Sequence, residues 1–260
     1  MRRISIRRRA PGAGWSRRLA TFSAALFLTS AISHRFGFLD TVPFIWLLAL
    51  SGALAFLALC LAFVGFVQIW ERGLPGLKAA VFGAVLSLAV LTPYAVSLYW
   101  LVIHPPLTDI SSDVSRRPQF AMAGALRQPP MNPLRPVSQE DALLQEQAYP
   151  QLTSRRYEYP KEIVLEAVTA LVEARGWTLL APVLLPAHPT VPTIIEAVAP
   201  SFLLGFPSDV AIRIEERNDA TFVDMRSASR YGRHDMGDNA RRIDRFFEDL
   251  DLRMEQLGEL

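Results

Sequence analysis

Between residues 226 and 237 the chain carries three arginines, Arg226, Arg230 and Arg233, two serines, Ser227 and Ser229, and two glycines, Gly232 and Gly237. An apolar period suited to a helix begins just beyond them, near Asn239. Forked guanidinium groups, hydroxyls and close-approaching glycine backbone ahead of a helix N-terminus are the parts from which an anion site is built. His234 and Asp235 add a candidate acid and base, which with Ser227 or Ser229 would suit a hydrolase. The same stretch allows a structural reading, because Asp209, Asp224, Asp235 and Asp238 are numerous enough to neutralise the arginines internally. Both readings stand on the residues alone.

The elements that must position this cluster are legible. Val210, Ile212 and Ile214 alternate with Ala211, Arg213 and Glu215, and Asn218 and Asp219 supply a tight turn before Phe222–Ser227. A two-residue loop there sets Arg217 opposite Ala220, Ile214 opposite Val223, Ile212 opposite Met225 and Arg213 opposite Asp224. The apolar pairs make one face, and Arg213, Asp224 and Arg226 the other, which is expected to be open to solvent or a partner. Ala240, Ile243, Phe246, Phe247, Leu250, Met254 and Leu257 are spaced for one face of a final helix, with Asp238 as its expected N-cap. An earlier helix runs from Pro160 to Gly176, and Trp177–Leu180 and Thr193–Val198 read as short strands. Helix, strands, hairpin and helix together predict an α+β domain with a mostly antiparallel sheet and two packing helices.

The stretches IEAVAPSFLLGFPSDVAIRIEE and VDMRSASRYGRHDMGDNARRIDRFFEDL resemble the bacterial domain of unknown function 1499 family. The family pattern falls on Arg226, Ser227, Ser229, Arg230, Gly232, Asp235, Gly237, Asn239 and Arg242, which with Asp209 form the candidate ligand-binding set. The resemblance covers about residues 146–252, and the preceding PPLTDISSD is similar to that of longer, membrane-anchored members. It departs at Ser208, where the family carries the first of two acidic residues; Asp209 keeps the second. The resemblance implies no reaction.

The N-terminal part has a different chemistry. Residues 1–103 hold ten Lys and Arg against Asp40 and Glu71, a balance of +8, whereas residues 104–260 hold 17 against 23, a balance of −6. Charge-free stretches from Pro43 to Trp70 and from Ala79 to Ile103 are long enough to cross a bilayer core of about 30 Å. A shorter run from Leu19 to Ser33 is a third candidate, extended by Phe36–Leu39 if Arg35 snorkels; a cleaved signal peptide is the alternative for it. Nine Lys and Arg flank the segments on one side, against Arg35 alone on the other, which puts the N-terminus in the cytoplasm and the C-terminus outside.

The expected architecture is therefore a membrane-anchored α+β protein with transmembrane helices at about 19–39, 43–69 and 79–103. A Pro-rich linker over 104–145 follows, then an external α+β domain over 146–260. The inner (cytoplasmic) membrane is the expected location, with that domain periplasmic or extracellular. Its expected role is binding an anionic ligand, envelope component or protein partner through the Arg/Ser loop, the alternative being an envelope hydrolase using His234 and Asp235 with a nearby serine. The lipid bilayer is an expected partner. No cofactor or metal is expected, since the single cysteine, Cys60, lies among apolar residues and no H-E-x-x-H, G-x-S-x-G, Walker or dinucleotide motif occurs. Nucleic acid is not expected either, because the C-terminal half is acidic.

Overall fold

The structure is a computed structural model describing residues 10–183 and 191–258. The chain divides into two compact units, Met1–Tyr99 and Trp100–Leu260.

The first unit is helical: α1 (Pro11–Arg35), α2 (Thr41–Arg72) and most of α3 (Leu77–Ile103). Pro11 at the start of α1 lacks an N–H that the first turn could not have used, and Gly73 closes α2 with φ 59°. Small residues let the backbones approach. A Cβ on Gly12 would lie 2.8 Å from the Gly65 nitrogen, and one on Gly65 would lie 2.6 Å from the Ala13 nitrogen. Polar side chains also bind backbone between helices: Ser23 Oγ of α1 donates to the Ser51 carbonyl of α2 at 2.7 Å, and Tyr94 Oη of α3 donates to the Leu48 carbonyl of α2 at 2.8 Å.

Among the described residues two helices are long and apolar enough to cross a membrane, α2 and α3. Of the three expected spanning segments, the second and third meet that measure. α1 begins eight residues before the expected segment and encloses Arg17 and Arg18. Between Arg18 and His34 it has only 15 residues, among them Thr21, Ser23, Thr29, Ser30 and Ser33.

The second unit begins with the last turn of α3 and continues through β1 (Asp109–Ser111), α4 (Met122–Leu126), α5 (Gln139–Ala148) and β2 (Arg155–Tyr157). Then come α6 (Lys161–Ala174), β3 (Thr178–Leu179), β4 (Thr193–Pro200), β5 (Pro207–Arg217), β6 (Ala220–Ser229) and α7 (Asp238–Gly258). The sheet is antiparallel in the order β1-β6-β5-β4-β3, and β2 also pairs with β6. The β5–β6 register has Arg217 opposite Ala220, Ile214 opposite Val223, Ile212 opposite Met225 and Arg213 opposite Asp224. Asn218 and Asp219 hold the positive φ values, 50° and 58°, of a tight hairpin turn.

On one side of the sheet Ile195, Ile212, Ile214, Val223 and Met225 are buried under α6 and α7. From α7, Ile243, Phe246, Phe247 and Leu250 have no exposed surface, and Trp177 stacks on Phe246 at 5.5 Å. Asp238 is not the cap of α7. It lies inside the first turn and binds Arg242, while Asp235 accepts the N–H of Gly237 at 2.8 Å and of Asn239 at 3.1 Å.

The other side of the sheet differs from expectation, and so does the segment expected to be a linker. Residues 104–145 contribute β1, α4 and most of α5, and those between Ser112 and Arg135 form a strap over the polar face. Arg213, Asp224 and Arg226 are buried as a result. The reason is ionic. Arg213 donates to the Arg116 carbonyl at 2.6 Å and to Asp113 at 2.8 Å, and Arg226 donates to the Pro118 carbonyl at 3.1 Å. Glu196 of β4 accepts the backbone N–H groups of Ala121, Met122 and Ala123 at 2.8–3.0 Å. A row of alternating charges cannot be dried unless each is paired, and the strap supplies the partners.

Candidate functional site

The motif occupies the C-terminal half of β6, the loop after it and the first turn of α7. Arg226 faces the strap and forms a two-pronged pair with Asp109 of β1, through Nε at 2.9 Å and Nη2 at 2.7 Å. Its guanidinium also lies over the Phe120 ring at 4.7 Å. Arg230 donates twice to one oxygen of Asp209, at 3.0 and 2.6 Å, while Arg127 Nε takes the other oxygen at 2.7 Å. Asp209 has no exposed surface. Arg226 and Arg230 thus meet carboxylates, and the geometry favours the internal network over an open anion site at these two positions.

Ser227 and Ser229 point to the α7 side and serve packing. Ser227 Oγ donates to Asn239 Oδ1 at 2.8 Å and accepts from Arg242 at 3.0 Å. Asn239 Nδ2 reaches both Ser229 Oγ and the Thr108 carbonyl at 2.9 Å. Arg242 completes this group by binding Asn239 Oδ1 at 2.8 Å and Asp238 at 2.5 Å. Asn239 is fully buried with all its amide valences used, so it bolts the first turn of α7 to β6 and to the residue before β1.

Gly232 has φ +88°, and its carbonyl accepts from Asn132 Nδ2 at 2.7 Å. Gly237, at φ +73°, lies against the His104 imidazole: a Cβ there would come within 2.7 Å of the ring. This glycine is required twice over, by conformation and by space.

His234 is committed to the backbone. Its Nδ1 accepts the Met236 N–H at 2.8 Å, which leaves the proton on Nε2, and Nε2–H donates to the His104 carbonyl at 3.0 Å. Neither nitrogen meets a serine, and Ser227 and Ser229 are taken up by Asn239. The nucleophile, base and orienter of a hydrolase are therefore not assembled here.

Near His234, burial moves three titratable groups away from their ordinary values. Burial pushes the Asp235 carboxyl above its ordinary range, against the pull of the Gly237 and Asn239 amides. Burial, with Asp235 nearby, pushes Tyr149 up to about 12. Burial first, and then the charge of Arg241, lower His104, whose Nδ1 lies 3.3 Å from the Tyr149 hydroxyl. Arg241 caps this corner by sitting over the Trp100 ring at 4.8 Å.

Several residues of the cluster carry no signal in the motif itself: Asp109, Arg117, Arg127, Asn132 and Glu196. Asp109 is shared by Arg226 and Arg117, and Asp209 by Arg230 and Arg127. Each carboxylate thus holds two arginines, and each triad keeps one positive charge in excess. Asp109 lies within PPLTDISSD, where an acidic residue beside a charged sheet face was the available hint.

A search of curated proteins finds no match to the chain. The profile of the family described as Protein of unknown function (DUF1499) matches residues 109–250, from the first residue of β1 into the last helix. The match takes in the strap as well as the motif that the strap covers. With more than half of the chain covered, the protein belongs to the DUF1499 family.

Proposed function

We propose that this is a bilayer-anchored protein whose C-terminal unit is a non-catalytic binding module for anionic groups. In this reading α1 completes a trio of spanning helices with α2 and α3. The N-terminus is cytoplasmic, and the C-terminal unit lies on the far side of the inner membrane. The observation that carries the binding role is the charge excess at one end of the sheet. Arg127 and Arg230 share one buried carboxylate, and the exposed Arg233 stands three residues further along. The paired arginines act as a rigid positive base, and Arg233 is the arm left to meet an anion.

The test uses the full chain in nanodiscs of neutral lipid, titrated with polyphosphate. Binding that weakens roughly fivefold on Arg233→Glu, and weakens again with added salt, is the expected outcome. Binding indifferent to both Arg233 and salt overturns the reading.

A further inference from the structure

Four segments converge on one end of the sheet. The β4–β5 loop, residues 201–206, projects beyond the Pro200–Pro207 pair. Ser229 N–H binds the Thr108 carbonyl at 2.8 Å, which brings the stretch after α3 to the same end. Arg230 N–H binds the Pro207 carbonyl at 3.1 Å, and Asn132 N–H binds the Arg230 carbonyl at 2.7 Å, adding the loop after β6 and the end of the strap.

The composition of this end is unusual. Phe202 and Leu203, at the tip of the β4–β5 loop, are 81% and 71% exposed. Residues 104–108, 127–137, 201–206 and 229–237 hold four arginines, Arg127, Arg135, Arg230 and Arg233, and one acid, Asp235. Asp235 is buried and bound to backbone amides. Asp109 and Asp209, just inside, are spent on arginines. The end thus combines a protruding apolar tip with a positive rim, and Asp238 just beyond it, a third exposed, is paired with Arg242.

We propose that this end of the sheet docks on an anionic phospholipid surface, with Phe202 and Leu203 inserted at headgroup depth and Arg233 and Arg135 against the phosphates. This deepens the anion-binding reading and rests on it. Two further facts favour a bilayer as the occupant. α3 is long and apolar enough to span, and a chain leaving it at Ile103 reaches Thr108 in five residues, about 17 Å at full extension. The lipid surface is therefore within tether range of this end. Aromatic and leucine side chains ringed by cations are also what an interfacial segment presents to lipid.

The experiment places a spin label on the full chain after Leu203→Cys in a Cys60→Ala background, and compares it with a label after Glu216→Cys at the far end of β5. In nanodiscs containing phosphatidylglycerol, the label at 203 is expected to become more accessible to oxygen than to a water-soluble nickel chelate, while that at 216 stays aqueous. Arg233→Glu with Arg135→Glu should return the label at 203 to water; both residues are exposed, so the fold is left intact. A label at 203 as water-accessible as that at 216 overturns the docking. If polyphosphate still binds in that case, the anion-binding module survives without the lipid; if it does not, both readings fall. A label that is aqueous in nanodiscs yet shielded in native membranes identifies a protein occupant and likewise overturns the lipid assignment.

Discussion

Asp209 has no exposed surface, and its two oxygens are divided between Arg127 and Arg230. A buried carboxylate in this position is worth most when one asks what its removal leaves behind, namely two guanidinium groups without a counter-charge in a partly dried setting. Asp209→Ala is expected to lower stability by about 3 kcal/mol, read by chemical denaturation of the full chain in detergent micelles. Arg233→Ala, exposed and outside the network, should stay within about 0.5 kcal/mol of the parent in the same assay. Equal losses for the two would mean that the pairing around Asp209 is not what holds the loop. At this scale the candidate site was half legible. Ser227, Asn239 and Arg242 could be marked as belonging together from their place in the pattern, and Asp209 as a counter-charge to nearby arginines. Arg127 could not, because its partner lies 82 positions away and nothing local distinguishes it from any other surface arginine.

The β5–β6 hairpin is the element most completely written in its own residues. Alternation of apolar side chains, two Asx residues at the turn and the Arg213–Asp224 pairing all require one register, and the structure has it. Asp219 sits at φ 58°, where a β-branched side chain is crowded by its own carbonyl. Asp219→Val should therefore destabilise the second unit by about 1–2 kcal/mol, whereas Asp219→Gly should hold or raise its melting temperature; both are read by circular dichroism. Matching losses for valine and glycine would argue against a conformational cause. The strap shows the opposite case. Its residues have neither a two-residue nor a helical period, and its prolines read as punctuation. What orders it is a set of charges on β4, β5 and β6 that it meets from a distance, so its path could not be read from its own composition. β1 and β2 were missed for a related reason: at three residues each, they are strands only because β6 offers them an edge.

At the scale of the whole chain, the charge asymmetry between residues 1–103 and 104–260 divided the protein near where its two compact units part, at Tyr99 and Trp100. The same asymmetry underlies the proposed topology. An export-dependent reporter fused after Leu260 should be active and a cytosolic fluorescent one dark; the reverse pattern would invert the assignment. The pairing across the strap also has a temporal side. Asp109 finds Arg226 117 positions later, and Ser112 finds Asp224 112 positions later. A ribosome delivers residues in order, so until β6 is made Asp109 has only the nearby Arg117 to bind and Ser112 has no Asp224 opposite it. The polar face of the second unit is complete only once β6 supplies Asp224 and Arg226, and a nascent chain stalled before β6 would leave β1 without an edge to pair with and open to proteases.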